Sequence, residues 1–433
     1  MTATAETSGE VAPADGATFD VVIAGAGPTG LSLAVAAADV GLTAAVVERQ
    51  SRAELAAPPP DGREIALTHR ARDILRALGL WQRFAEDEIA PLRKAAVTDG
   101  RSPFTLGFDA DRHGREQLGF LVGNEVIRRA AFAEASTREA ITIVDGVAVT
   151  GVATSAASGT LTLADGRRLH GRLVVAADNR FSENRRRMGI GAQMLDFGRI
   201  VIVCRLRHER PHHGIAHECF GYGGTLAILP LNGDLVSAVV TVPADAAPGL
   251  LAMEPARFAD YVRERFGNRL GAMSVLGERH TYPLVAVYAH RFVAQRFALI
   301  GDAAVGMHPV TAHGFNFGLY GVDALARAWQ RERRKAVGTA GASPSANWSG
   351  RLARQPATFD PGSDAALSAY QSEHRRTTFP IYTGTNAIVR LFTDDSPPAR
   401  VARAAALRVA NLVTPIKRQI TLQLTGTGTQ PAA

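Results

Sequence analysis

Two glycine-rich runs, far apart in the chain, carry residues of a kind that hold phosphate and sugar. The first is FDVVIAGAGPTGL, Phe19 to Leu31, in which Gly25-x-Gly27-x-x-Gly30 follows an apolar strand and opens a helix. In that context Gly25 makes the tight turn, Gly27 lets the backbone approach a diphosphate, and Gly30 lets helix pack on strand. The helix start offers unpaired N–H groups and partial positive charge to the anion, with Thr29 inside the turn and Pro28 at a position where its missing N–H costs nothing. Glu48 ends the next strand, followed by Arg49, where an acid binds an adenosine ribose hydroxyl and repels a 2′-phosphate. The second run is ALIGDAAVGMHPVTAHGFNFG, Ala298 to Gly318. Gly301-Asp302 closes a strand there, and a helix opens near Gly314. Asp302 suits a ribityl hydroxyl, although an ordinary helix N-cap uses the same residue. Pro309, Gly314, Phe315 and Asn316 complete this set. The N–H groups near Gly314 would meet the negative charge that a reduced flavin carries around N1 and the C2 carbonyl. One extended cofactor gripped at both ends satisfies both runs, and FAD has that shape.

A third run, LVVAADNRFSENRRRMGI from Leu173 to Ile190, delivers Asp178 from a buried strand and Ser182 and Arg185 to a helix start. A plain strand, turn and cap would use the same residues.

Together the three runs resemble the class A flavoprotein monooxygenases, the p-hydroxybenzoate hydroxylase-like group, and within it the ubiquinone-biosynthesis hydroxylases. The likeness extends from about Phe19 to Gln423. Where that family has Asp-Gly-x-x-Ser-x-x-Arg, this chain has Asp178-Asn179 and then Ser182 and Arg185, so Asn179 is expected to take a left-handed turn. Ala312-His313-Gly314 replaces the usual Gly-Gln-Gly, and Tyr320-Gly321 stands where Arg-Asp is common. By position the resemblance implies that Arg63 contacts the flavin side and that Asn124 and Arg128 reach the diphosphate or ribityl chain.

It further implies FAD as cofactor, NADPH or NADH as electron donor, and hydroxylation through a flavin C4a-hydroperoxide. The implied substrate is a small aromatic, a polyprenylated phenol or quinone-precursor ring in ubiquinone biosynthesis, with association with other proteins of that pathway. Alternatives are a soluble phenol or secondary metabolite as substrate, or a non-catalytic FAD-binding relative. A plain NAD dehydrogenase would leave the second run idle. The Trp-x-Trp-x-Ile-Pro run of flavin halogenases is missing, since Trp81, Trp329 and Trp348 lie far apart. The substrate is expected near Phe220, Tyr222, Leu229 and Tyr282, although each of these reads first as plain core. No nucleophile triad, metal set or general base is assigned, His308 and His313 included.

The elements that must position these groups divide the chain. The expected fold is α/β, a Rossmann-like FAD-binding domain interrupted by an antiparallel-sheet substrate domain, with C-terminal helices. The first domain takes 19–90, 118–190 and 286–330, and the second 91–117 and 191–285. Residues 1–18 read as a disordered start, 331–363 as a loose insertion and 364–433 as a helical C-terminal segment. Helices are expected at Ile65–Leu80, Asn124–Ser136, Pro255–Phe266, Asp364–Phe392 and Pro397–Leu412, and a strand at Ile141–Val152.

With 433 residues, 46% hydrophobic and 21% charged, the composition is that of a globular protein with more than one core. Two cysteines make no disulfide framework. The early apolar stretch Val21–Ala38 reads as strand, turn and helix rather than as a signal peptide. No apolar run approaches the ~20 residues that span a bilayer, so the expected location is cytoplasmic. The net charge of +7 comes with only 6% aromatics and no basic-aromatic stripe, which argues against nucleic acid. Arg400, Arg403, Arg408, Lys417 and Arg418 interleave with apolar residues, so peripheral contact at the inner face of the membrane is expected. A helix packed on its own domain is the alternative.

Overall fold

The computed structural model describes residues 13–100, 105–109, 116–221, 223–307, 314–337 and 359–393, together with Ser396 and Arg403. Strand Ala17–Ala24 starts the architecture, so Ala17 and Thr18 belong to it rather than to a disordered start. Its last four residues are apolar and wholly or almost wholly buried. That is the pattern of a strand covered on both faces, which a parallel sheet requires. Arg168–Ala176 lies parallel on one side and Ala44–Val47 on the other. Ile141–Val144 extends the sheet beyond Ala44–Val47, and Phe297–Leu299 flanks Arg168–Ala176. Helix Pro28–Asp39 follows the glycine turn and buries Gly30 through Ala37 in one run. Small side chains on every face allow this helix to be packed from all sides.

The second sheet has eight strands, in the spatial order Val305–Gly306, Met273–Ala289, Ala192–His208, Leu235–Pro243, Gly224–Pro230, Ile215–Gly221, Lys94–Asp99 and Thr105–Asp109. It is antiparallel except where Ile215–Gly221 pairs parallel with Lys94–Asp99. Helix Pro255–Arg265 covers one face, closing a core of Ile202, Leu226, Ile228, Val240, Phe258 and Phe266. On the other face Val203 lies against the turn at Gly62, and Arg205 pairs with Glu64 and Glu125. The two longest strands, Ala192–His208 and Met273–Ala289, run past the edge of this core. Register breaks between Asp196 and Ile200 and between Val203 and Arg205 bend the pairing along the way. A small third sheet joins Glu64–Leu67, Gly119–Gly123 and Ile89–Leu92.

Several local expectations are corrected. The helix expected over Ile65–Leu80 begins at His69, because Glu64–Leu67 is drawn into pairing with Gly119–Gly123. Thr68 then caps the helix, its Oγ accepting from the Ala71 N–H at 3.1 Å. The strand expected over Ile141–Val152 is two strands. Ile141–Val144 joins the parallel edge, and Val149–Thr154 pairs antiparallel with Gly159–Leu163. One C-terminal helix runs Asp364–Thr393 and contains Pro380. Tyr370 anchors it by donating to the Leu299 carbonyl at 2.5 Å. Most of the insertion at 331–363 and the helix expected over Pro397–Leu412 lie outside the described residues, except Arg403. That residue is fully buried, its Nε 3.8 Å from an Asp99 oxygen, so it is no lipid contact. Arg400, Arg408, Lys417 and Arg418 are outside the described residues. Among the described residues no helix is long and apolar enough to cross a membrane.

Helix Pro28–Asp39 also packs on helix Gly314–Val337. A methyl group at Gly318 would sit 2.6 Å from the Thr29 hydroxyl. Gly318→Ala should therefore destabilise the protein by about 1–3 kcal/mol through overpacking. Adding Thr29→Ala should recover part of that loss, as read from thermal unfolding midpoints. Equal midpoints for Gly318→Ala and the parent chain would contradict this packing.

Candidate functional site

Geometry explains the three glycines of the first run differently. Gly25 adopts φ +110°, and a Cβ there would lie 2.7 Å from the Ala177 carbonyl oxygen. A Cβ on Gly30 would collide with the Gly25 carbonyl and approach the Ala177 methyl. These two are glycine because the protein itself presses on them. Gly27 has an ordinary φ of −65°, and a Cβ there would meet nothing within 4 Å. That side is open, at the start of a helix that no side chain caps. A diphosphate fits such a cradle.

Glu48 stands at the mouth of this turn. One carboxylate oxygen accepts from the Ala26 N–H at 2.9 Å, and the other from the N–H groups of Arg49 and Gln50 at 3.0 and 3.2 Å. The acid is locked in place with lone pairs left for a sugar hydroxyl. Arg49 is exposed at the rim. Arg128 donates to the Gln50 side chain at 2.7 Å, which brings it to the same rim.

Arg63 and Asn124 converge on Asp61. Its carboxylate takes a 2.5 Å ion pair from Arg63 and a 2.7 Å hydrogen bond from Asn124. Burial alone would raise the Asp61 pKa, but the Arg63 bonds and charge outweigh it and hold the carboxyl below its ordinary value. The Arg63 guanidinium also lies 5.2 Å from the centre of the Tyr282 ring, and the Tyr282 hydroxyl donates to the Asp61 carbonyl at 2.7 Å. This turn therefore rests on the second sheet.

Asp302 is not a helix cap. It sits inside a single 3-10 turn, Gly301–Ala303, and its carboxylate accepts from Arg180 at 2.9 Å. Arg180 also donates to the Val285 carbonyl at 2.8 Å on the longest strand. Arg180 was not among the residues expected from sequence, and its place in the run after Asp178 is the one signal that could have flagged it. Arg185 is buried and donates to the Ala303 carbonyl at 2.8 Å and to the Arg180 carbonyl at 3.1 Å. The third run thus braces the second.

Asp178 is turned inward, accepting from the Ser182 hydroxyl at 2.5 Å and from Asn184 at 3.2 Å. Burial raises its pKa despite those bonds. The turn after it does not rely on a left-handed Asn179, which has no positive φ. The Asn179 side chain accepts from the Phe181 N–H at 2.8 Å instead, so a side-chain turn replaces the glycine.

Asn316 is fully buried, and both ends of its amide are used, accepting from the Thr68 N–H at 3.0 Å and donating to the Ala66 carbonyl at 2.8 Å. Its side chain pins the small sheet to the helix. Gly314 and Phe315 are half-buried at that helix's first turn. Pro309, His308, His313 and Tyr222 lie outside the described residues. Thr29 lies between the two motifs, because added methyl groups at Gly301 and at Gly318 would both meet it. No group of three or more His, Cys, Asp or Glu side chains able to hold a metal ion occurs among the described residues.

The chain is similar to known proteins over most of its length. The FAD binding domain family matches residues 18–333. Ubiquinone hydroxylase UbiM of Neisseria meningitidis is 40% identical over 411 residues, 94% of this chain and 84% of that protein. Ubiquinone hydroxylase UbiL of Rhodospirillum rubrum is 34% identical over 408 residues, 94% of this chain and 90% of its own. Among solved structures, p-nitrophenol 4-monooxygenase PnpA of Pseudomonas putida superposes with a TM-score of 0.72 at 18% identity, covering 96% of this chain and 100% of the other.

Two expectations test the geometry. Gly27→Val should leave the folded protein intact, because its side chain would point into open space, and should abolish bound flavin as read from visible absorbance. Full flavin content in that variant would place the diphosphate elsewhere. Asp302→Ala should weaken FAD at least tenfold, about 1.4 kcal/mol, in a flavin titration. If thermal stability falls while flavin affinity stays unchanged, the carboxylate serves only Arg180.

Proposed function

The chain belongs to the FAD binding domain family, and from that premise we propose that it is an FAD-dependent aromatic hydroxylase that spends NADPH or NADH and molecular oxygen on the ring of a polyprenylated ubiquinone precursor. The observation that carries this reading is the junction of the two glycine-rich runs at Thr29, which makes one continuous cradle with open space at Gly27. The relatives named for ubiquinone hydroxylation at 40% and 34% identity supply the substrate class.

Bound there, FAD would supply the redox chemistry that activates oxygen for insertion into an aromatic ring. The protein's part is to hold and to shield. The uncapped start of helix Pro28–Asp39 would receive the diphosphate, and Glu48 would accept from the adenosine ribose. Arg63, held by Asp61, and Asp302, held by Arg180, would hold the other half of the cofactor. The start of helix Gly314–Val337 would offer partial positive charge to an anionic reduced ring system. Val201, Val203 and Leu284, buried together on the second sheet, would help to keep water out. A polyprenyl tail resides in the bilayer, so the reading includes a peripheral seat at the cytoplasmic membrane face and association with neighbouring enzymes of the same pathway.

Purified protein carrying FAD is the test. NADH and NADPH oxidation should rise when a short-chain prenylated phenol is added, and chromatography should find the ring-hydroxylated product. Hydroxylation of soluble phenols alone would move the substrate class. Oxidation that yields only hydrogen peroxide with every phenol would remove the hydroxylase reading.

A further inference from the structure

We infer that Glu218 receives the ring hydroxyl of the aromatic substrate, which makes that substrate a phenol gripped by its oxygen. The inference rests on the hydroxylase reading above and adds the group that recognises the ring.

Strand Ile215–Gly221 is an interior strand, held between Gly224–Pro230 and Lys94–Asp99. Alternation along it separates two kinds of residue. His217 and Cys219 turn toward helix Pro255–Arg265, where the His217 ring lies 5.0 Å from Phe266 and Cys219 packs on the core. Glu218 and Phe220 turn the other way. Paired residues across the sheet place Glu218 in one row with Leu106, Val97, Ala227, Val239 and Val203, and with His280 at its far end. An acid between Val97 and Ala227 is out of character.

The row leads to the cofactor-side groups. Val203 lies under the turn that carries Arg63, and a Cβ on Gly62 would come 3.1 Å from it. Glu218 is three strands away, about 14 Å at the usual ~4.8 Å spacing. A substituted aromatic ring can lie on the sheet between them.

The face is less tightly sealed than its opposite. Glu218, Val97, Leu229 and Val239 all keep partial exposure, although their strands are covered on the other side. The helix-facing neighbours Leu226, Ile228, Val236, Ala238 and Val240 are essentially sealed. Glu218 nevertheless lies deep enough that burial alone pushes its carboxyl up to about 8, with no neighbouring charge to offset it. His280 stands at the far end of the row, across from Val203 and beside Gly62, and two further charged groups of this face are engaged elsewhere. Asp99, beside Phe220, faces Arg403, and Arg205 is paired with Glu64 and Glu125. Among the described residues nothing bonds the Glu218 carboxyl, and a buried polar group calls for a partner.

A phenol supplies that partner. Its hydroxyl, with a pKa of about 10 as in tyrosine, is closer to this carboxyl than to an ordinary one, so proton sharing between them is favoured. When Glu218 is ionised, the phenolic O–H bond breaks, a new O–H bond forms on the carboxylate, and the negative charge moves onto the ring oxygen. That charge enriches the ring carbons in electron density, as attack by an electrophilic oxygen requires. A methyl ether has no such proton, which gives the test.

The FAD-loaded protein is titrated with 4-heptylphenol and with its methyl ether, binding being read from perturbation of flavin absorbance. The parent chain should prefer the phenol at least tenfold. Glu218→Leu should lower the ratio to about one while flavin content stays normal. Glu218→Gln, nearly the same shape, should keep part of the preference through its amide and lose the change in phenol affinity that the parent chain shows between pH 7 and 9. A parent chain without preference, or a Leu variant that retains it, overturns the inference. Should the Leu variant fail to load FAD, a Gln variant with the parent's full preference and pH dependence overturns it equally. Binding needs no turnover, so failure here is separate from absence of hydroxylated product, which would sink the hydroxylase reading itself.

Discussion

One side chain, Thr29, sets the spacing on which the rest of the site depends. It lies where added methyl groups on Gly301 and Gly318 would both collide with it. Residues of the first glycine turn thereby touch a turn and a helix encoded far downstream. Interiors are close-packed, so an approach of this kind tolerates little change in volume. Two glycines opposite one β-branched residue fix the distance between the end that would receive a diphosphate and the end that would receive a ring system. An extended cofactor needs that distance constant, because its two halves are gripped independently.

The coupling continues outward through arginines that bond to carbonyls. Arg180 ties Asp302 to Val285, and Arg185 ties the Asp178 loop to Ala303. Strand Met273–Ala289 contains Val285, Tyr282 and the partner of the short strand Val305–Gly306. One rigid ribbon thus touches the Asp61–Arg63 turn, the Asp302 turn and the face that bears Glu218. Movement of the second sheet against the first would be felt at all three. This is how a substrate bound on the sheet can be held in fixed relation to groups on the parallel domain.

Much of this was legible in the sequence where a local rule has one physical cause. Gly25, Gly30 and Glu48 sit where the strand, turn and helix pattern puts them, because the turn is a local object. The helix over Asn124–Ser136 was read to its ends, since its apolar face and flanks agree. The failures share a different cause. The Ile65–Leu67 stretch is compatible with helix, but Gly119–Gly123 recruits it as a strand, and no local pattern reports a partner fifty residues away. Asn179 keeps its turn by a side-chain acceptor instead of a left-handed backbone, a choice that residue type alone leaves open. Glu218 was invisible for a related reason. Only the register of four neighbouring strands reveals that an acid in a run of strand residues shares its face with Val97, Ala227 and Val239.

The net positive charge finds its explanation in the same contacts. Arginine presents a planar fork of donors and is always charged, so it can satisfy carbonyls and carboxylates at once where lysine offers a single point. Arg180 does this between Val285 and Asp302, and Arg296 between Asp360 and the Ala156 and Arg172 carbonyls. Arg375 holds the His290 carbonyl while lying over Tyr288 and Phe292. These arginines are thus consumed in fastening loops to sheets, so a basic composition is not by itself the mark of a nucleic-acid or lipid-facing surface. Arg403 makes the point most sharply, since the stripe that would have touched lipid places it fully buried beside Asp99 on the sheet that bears Glu218.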